Sequence, residues 1–244
     1  VWRNTTWPTR KTEHWKYTAL RPLEQGGHLQ NTGVLPSLDA QRALREHAQI
    51  AGLEAYRLVF VNGCYSAALS QVAGLPQGVD LVTVAEASPA QLAQLQNHLG
   101  RVVENDRHMF AAFNSQLLEN GVFLRVGKNI TLDKPVHVVA LTAPQAEAFQ
   151  APHRLLVVLE PNAAATVIEQ FASDAQPQNG FVHNVTELCL LEGARCEHYR
   201  LHLEEHQTLH VGGVHASLQR NAQLQSFHLA LGSELKRIDI VINH

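Results

Sequence analysis

The fold is decided by the stretch GARCEHYRLHL (residues 193–203), because it recurs 28 positions later as NAQLQSFHLAL (residues 221–231). In both copies a Gly or Asn turn precedes apolar residues at every second position. The aligned apolar residues are Tyr199, Leu201 and Leu203 in the first copy and Phe227, Leu229 and Leu231 in the second. A looser third copy begins at Asn162-Ala163 and brings Ile168 to the offset of Tyr199. A period of two predicts half-buried strands, and recurrence at a fixed interval favours the stacked coils of a β-solenoid over an ordinary β-sandwich.

Short apolar runs separated by turn residues continue this pattern through residues 122–244. Turn chemistry such as Glu160-Pro161-Asn162 stands where the apolar runs stop. The strands that we predict are Val122 to Val126, Val136 to Leu141, Leu155 to Leu159, Ala165 to Phe171, Val185 to Leu191, Arg195 to Leu203, Leu209 to Leu218, Leu224 to Leu231, and Ile238 to Ile242.

Residues 1–121 have a different pattern, in which helices accompany a small β-hairpin. Asn62-Gly63 between two apolar runs predicts the hairpin, because both central positions of such a turn need positive φ. A further short strand is expected from Leu81 to Val84. A first helix is predicted from about Ala40 to Ala51, with Ser37 or Asp39 as its cap and Gly52 as its stop. A second helix starts at Ser88-Pro89 and runs to about Leu99. A third is capped by Asn105 or Asp106, carries Phe110, Phe113 and Leu118, and ends at a left-handed stop at Gly121.

These patterns together predict an α+β, mainly β chain. A helical N-terminal region with a β-hairpin occupies residues 1–121, and a partial β-helix occupies residues 122–244. Hydrophobic residues make up 45% and charged residues 17% of the chain, as in ordinary globular proteins. The net charge of -3, without long basic runs, disfavours nucleic acid as a partner.

The three cysteines, Cys64, Cys189 and Cys196, form no C-x-x-C motif. Their odd number indicates neither a disulfide framework nor a zinc ribbon, and it fits a reducing cytoplasm. No apolar run reaches the roughly 18 residues of a membrane span, and no leader pattern opens the chain, so we expect neither a membrane segment nor a signal peptide.

The N-terminal residues combine aromatic and basic side chains. They are Trp2, Trp7, Trp15 and Tyr17 with Arg10, Lys11 and Lys16. Such a combination can stack on single-stranded nucleic acid. We favour the alternative that the aromatic rings hold this terminus on the core while the basic stems cover them, because the chain has no basic domain.

Two stretches in this region resemble a known family. PTRKTEHWKYTAL (residues 8–20) resembles the PTRK-x-E-x-WKYT-x-L signature of the SufD family, subunits of the Suf iron–sulfur cluster assembly system. RLVFVNG (residues 57–63) is similar to the RLVFV-x-G hairpin that follows in the same family. The resemblance extends over the whole chain and implies a helical N-terminal region followed by a right-handed parallel β-helix.

The end of the chain departs from that family. His244 follows directly on a predicted strand, without the cap that a terminal solenoid coil needs. The family continues with more β-helix and a helical domain, which carry the docking surface for the ATPase SufC, much of the contact with SufB, and the residues implicated in cluster assembly. No position here matches those residues. We therefore expect a piece of a longer protein that self-associates through its last coil when expressed as it stands.

Histidine is abundant, and the densest patch comprises Cys196, His198, His202, His206, His210 and His215. If Tyr199, Leu201 and Leu203 face the core, then Cys196, His198, Arg200 and His202 share the solvent-facing side of a strand. Imidazole and thiolate suit zinc, iron or copper, but Arg200 would repel a cation. A solvated face is the favoured interpretation, and we assign no catalytic, cofactor-binding or metal-binding residue.

Two smaller motifs near this patch have plain structural interpretations. Gly212-Gly213 inside a predicted strand suggests a bulge or a close approach between coils. Glu204-Glu205 beside His206 could do acid–base work but is expected to form a solvated turn.

Three functional hypotheses follow. The resemblance implies a non-catalytic scaffold that acts with a SufB-like paralogue and the SufC-like ABC ATPase. It would pair through a solenoid edge with that paralogue or with itself. We expect no cofactor in this chain and place an iron–sulfur cluster, if one is bound, at the level of the complex. The alternative is a metal-dependent enzyme on a β-helix or cupin-like scaffold that uses Cys196, His198 and His202. A carbohydrate-binding solenoid ranks last, because aromatic residues make up 6% of the chain.

Overall fold

The structure is a computed structural model that describes residues 8–9, 11–103, 109–115 and 118–244. The helices within these ranges are α1 (Arg21–Gln25), α2 (Leu38–His47), α3 (Pro89–His98) and α4 (Met109–Asn114). The strands are β1 (Tyr56–Val61), β2 (Cys64–Tyr65), β3 (Val79–Thr83), β4 (Val122–Val126), β5 (Val136–Thr142), β6 (Phe149–Leu159), β7 (Ala164–Ser173), β8 (Gly180–Leu190), β9 (Arg195–Leu203), β10 (Leu209–Leu218), β11 (Gln223–Leu231) and β12 (Leu235–Asn243). In these same ranges no helix is long and apolar enough to cross a membrane.

From β4 onward, consecutive strands alternate between two sheets. One sheet has the order β11-β9-β7-β5-β1-β2 and the other β12-β10-β8-β6-β4-β3. Each coil therefore contributes one strand to each sheet, and strands of successive coils pair in parallel. This is a parallel β-solenoid, so the prediction of a β-helix is confirmed and the β-sandwich alternative is wrong.

The sequence repeats correspond to the register of the sheet. Tyr199 pairs with Phe227 in the β9–β11 ladder, as the shift of 28 residues requires. Ile168 pairs with Tyr199 in the β7–β9 ladder, so the looser third copy is confirmed as well. The hydrophobic interior between the sheets includes residues such as Leu124, Val138 and Val157.

The Gly or Asn that opens each repeat has a left-handed backbone conformation at one corner of the solenoid. Asn129, Asn162, Gly193 and Asn221 have φ values of 61°, 60°, 69° and 60°. We name these residues the corner stack. Asn162 Nδ2 donates to Asn129 Oδ1 at 3.1 Å, which ties two coils together. Asn and Gly occupy these positions because they adopt this conformation at the lowest cost among the amino acids.

The N-terminal region extends the solenoid and covers one of its faces. β1 pairs in parallel with β5, and β3 pairs antiparallel with β4. Trp15 is buried and packs on Phe110, whose ring also contacts Phe181 of β8. Trp15 thus holds this segment on the core as predicted, whereas Trp2 and Trp7 lie outside the described residues. The division into domains at residue 121 stays a prediction.

The β1–β2 hairpin and the start of α3 follow the sequence signals. Asn62 and Gly63 have φ values of 53° and 79°, which confirms the tight turn. Ser88 caps α3 with a complete capping box and Pro89 as the first helical residue. The predicted caps Asn105 and Asp106 lie outside the described residues.

Two helix ends differ from the predictions because tertiary contacts intervene. α2 starts after Ser37 but ends at His47 instead of Ala51, and the Ala48 carbonyl accepts a hydrogen bond from Gln170 Nε2 at 2.8 Å. α4 ends at Asn114, whose Nδ2 donates to the carbonyls of His153 and His183. The predicted left-handed stop at Gly121 is wrong, since Gly121 is not among the residues of positive φ.

Gly212 marks a close approach between coils without a bulge. It lies in β10 in unbroken register with Asn184 and Ile238. A Cβ at Gly212 would lie 2.5 Å from the main-chain oxygen of Asn184. We expect Gly212→Ala to lower the free energy of unfolding by about 1–3 kcal/mol, because β8 would have to shift. Denaturant unfolding measures this loss.

The control for this substitution is Gln223→Ala on the exposed side of β11. It should change the free energy of unfolding by less than about 0.5 kcal/mol. Equal stabilities of Gly212→Ala and Gln223→Ala would contradict the close approach.

Candidate functional site: a polar cluster inside the solenoid

The polar side of β9 faces the interior of the solenoid. Cys196, His198, Arg200 and His202 are fully or almost fully buried, whereas Leu203 is 39% exposed. The expectation that these Cys, His and Arg side chains face solvent is therefore wrong. Alternation identified the two sides of the strand correctly but not which one points inward.

Opposite charges on adjacent coils make this polar interior possible. The register that pairs Ile168 with Tyr199 also pairs Glu169 with Arg200. Both side chains are fully buried, and Glu169 Oε1 lies 3.6 Å from Arg200 Nε. This alignment of unlike charges at the repeat interval was the sequence signal that could have located the site. We name Glu169, His198, Arg200, His202, Glu204 and His210 the polar cluster.

Glu169 has hydrogen-bond donors on two sides within the solenoid. Its carboxylate accepts hydrogen bonds from Thr186 Oγ1 at 2.8 and 2.9 Å and from His198 Nε2 at 2.8 Å. Burial alone would raise the pKa of Glu169, but the Arg200 charge and the His198 hydrogen bond lower the pKa well below its usual range. Glu169 is therefore a buried carboxylate.

Glu204 forms a second charged centre at the end of β9. It is buried and hydrogen-bonds His210 Nδ1, and its Oε2 lies 2.9 Å from Lys236 Nζ. Although burial opposes ionisation, the pKa of Glu204 lies well below normal because of His210, His202 and Lys236. The prediction that Glu204-Glu205 is a solvated turn is thus wrong for Glu204.

His202 and Arg200 surround Phe171 of β7. The His202 ring stacks on Phe171 with centroids 5.0 Å apart, and the Arg200 guanidinium lies 5.0 Å from the centroid of the same ring. Among the described residues, no hydrogen-bond partner is found for either ring nitrogen of His202 or for any guanidinium nitrogen of Arg200. Burial lowers the pKa of His202 to about 3, so its imidazole is neutral. Buried polar atoms of this kind are rare, and in folded proteins they bind water, ions or ligands.

The metal trio suggested by sequence, Cys196, His198 and His202, is not assembled. Cys196 packs in the apolar interior, and burial raises the pKa of its thiol to about 12. His198 is engaged by Glu169 and by Ser226 Oγ at 3.1 Å. Instead, His202 approaches Glu204 and His210, and their potential ligand atoms all lie within 4.8 Å of one another.

Two family sequence models match the chain. The model described as "SufBD protein N-terminal region" matches residues 2–138. The model described as "SUF system FeS cluster assembly, SufBD core domain" matches residues 141–244. The two matches together cover nearly the whole chain.

Curated relatives carry related descriptions. The chain is 26% identical over 237 residues to the iron–sulfur cluster assembly SufBD family protein slr0076 of Synechocystis, which covers 94% of this chain and 51% of that protein. It is 28% identical over 236 residues to the iron–sulfur cluster assembly protein SufD of Escherichia coli, covering 94% of this chain and 50% of that protein. The chain thus spans about half the length of these relatives.

Proposed function

Because the chain belongs to the SufBD family of iron–sulfur cluster assembly proteins, we propose that it acts as a non-catalytic scaffold subunit of the cytoplasmic Suf machinery. Its partners would be a SufB-like solenoid paralogue and a SufC-like ABC ATPase. Any cluster would be held by the assembled complex.

The parallel β-solenoid, which runs through residues matched by both family models, is the observation that carries this proposal. Its strands stack coil on coil in two sheets. Stacked coils give repeat proteins an extended surface for binding a partner, and such a surface suits association with a second solenoid.

The burial of the polar cluster supports the non-catalytic part of the proposal. His198, Arg200, His202 and His210 have no exposed surface, and Glu169 lies among them equally buried. A small-molecule substrate normally enters an open cleft. The polar cluster therefore fits an internal structural or binding role better than turnover of a substrate.

Affinity purification of the natural-length protein from its own cells tests this proposal. We expect an ABC-type ATPase and a SufBD-family paralogue in stoichiometric amounts, identified by mass spectrometry. A different solenoid protein carrying the same tag serves as the control bait. Recovery of the protein by itself, or with the same proteins as the control, would contradict the proposed partners.

A further inference from the structure

The geometry points to a binding site for one divalent transition-metal ion, formed by His202, Glu204 and His210 inside the solenoid. Two imidazoles and one carboxylate suit zinc or ferrous iron. This inference concerns the chain itself and does not depend on the proposed partners.

The three side chains come from neighbouring positions of one coil. His202 lies near the end of β9, Glu204 follows that strand, and His210 lies near the start of β10. His202 Nδ1 is 3.6 Å from Glu204 Oε2, and His210 Nδ1 contacts Glu204 Oε1. Metal bonds of about 2.0–2.2 Å place tetrahedral ligand atoms roughly 3.3–3.5 Å apart, so small side-chain rotations would complete the set.

His202 is available for a ligand. It has no exposed surface, and neither of its ring nitrogens has a hydrogen-bond partner among the described residues. Stacking on Phe171 fixes the plane of the His202 ring. The His210 ring meets the His202 ring edge-on, with 4.7 Å between the two ring centroids. Nδ1 of this oriented ring lies 3.6 Å from Glu204 Oε2, too far for a hydrogen bond, so its lone pair can turn to a metal ion.

His210 has the second contact that metal-binding histidines usually make. Its Nε2 lies 2.7 Å from Asn184 Oδ1. When Nε2–H donates to this oxygen, a metal ion would displace the proton through which Nδ1 contacts the Glu204 carboxylate and bind the freed Nδ1 lone pair. Such outer hydrogen bonds fix the tautomer and direct the ligand atom towards the metal.

The charges around the site are balanced by their own partners. Glu169 lies beside Arg200 and offsets the repulsion that the Arg200 guanidinium would exert on a cation. Lys236 Nζ neutralises Glu204 from 2.9 Å and also donates to the Leu231 carbonyl at 2.9 Å. A metal ion would replace the ammonium as the counter-charge of Glu204, and the flexible four-carbon stem of Lys236 allows the ammonium to move aside. Lys236 is therefore a built-in competitor of the metal.

The test is metal binding by the purified natural-length protein after treatment with a chelator. Zn²⁺ and Co²⁺ are titrated separately by calorimetry, retained metal is measured after desalting, and the Co²⁺ absorption spectrum reports the coordination. We expect one ion per chain. His202→Phe, which keeps the stacked ring, should weaken binding by more than about tenfold. Lys236→Met should tighten it.

The control is His206→Ala, which removes an exposed imidazole next to Glu205. It should leave the affinity unchanged. Absence of retained metal in the unaltered protein, or equal affinity of His202→Phe and the unaltered protein, would overturn the site. Circular dichroism tests whether His202→Phe is folded. If it is unfolded, Lys236→Met decides instead, and weaker or unchanged metal binding by that variant would overturn the site.

Discussion

Replacing Glu169 with Gln should lower the free energy of unfolding by about 3–5 kcal/mol. The substitution leaves the Arg200 guanidinium buried without its counter-charge, and a single unpaired buried charge costs far more than the pair contributes. Arg200 has no exposed surface, so bulk solvent does not reach the guanidinium. Chemical denaturation monitored by circular dichroism measures the change.

The double variant Glu169→Gln/Arg200→Met distinguishes charge pairing from packing. Methionine keeps an unbranched apolar chain against Phe171, and the double variant should recover most of the stability lost in the single one. Glu192→Gln is the matched control, because Glu192 pairs with Arg220 on the surface, where the Arg220 side chain is 80% exposed. It should cost less than about 1 kcal/mol. A double variant no more stable than Glu169→Gln would contradict the pairing.

Acidification from pH 6.5 to pH 4 should unfold the protein. Burial lowers the pKa of His137 and His153 to about 4 and that of His183 to about 3. The unfolded chain binds protons on these imidazoles near pH 6.5, whereas the folded chain does not, so stability falls as pH decreases. Each histidine contributes up to about 1.4 kcal/mol per pH unit, which gives about 4 kcal/mol per unit for the three.

The contacts of His183 explain why it stays neutral. Its Nε2 lies 3.2 Å from Gln150 Oε1, and its Nδ1 lies 3.2 Å from the amide nitrogen of Asn114, Nδ2. A proton on Nδ1 would face another donor. His183→Gln should therefore reduce the slope of stability against pH by about 1.4 kcal/mol per unit. Denaturant midpoints measured from pH 7.5 to pH 4.5 give the slope, and a flat profile would contradict this account.

The sequence predicts the repeat well, because each coil of a solenoid uses the same order of turn residue and alternating strand. The pairings of Tyr199 with Phe227 and of Ile168 with Tyr199 follow from the alignment of turn residues alone. The ends of α2 and α4 could not be predicted, because Gln170 and the strand carbonyls that bind them are distant in the chain.

The orientation of β9 could not be predicted from alternation. Both sides of this strand carry large residues, and a rule that buries apolar side chains selects Tyr199, Leu201 and Leu203. The opposite side of β9 is buried instead, because Glu169 from the preceding coil neutralises Arg200 and binds His198. A buried polar side is stable only when its partners are present, and those partners belong to another strand.

The corner stack fixes the position in each coil from which the next strand starts. Asn129 and Asn162 are 33 residues apart, whereas Gly193 and Asn221 follow the shorter interval of 28. Insertions and deletions on the far side of a coil are thus absorbed without disturbing the strand that follows the corner. A single residue inserted between Gly193 and β9 would instead turn the strand over, moving Arg200 to the surface and Leu201 to the interior. Coils of different length can therefore stack in one solenoid as long as the distance from each corner to the strand that follows it is kept.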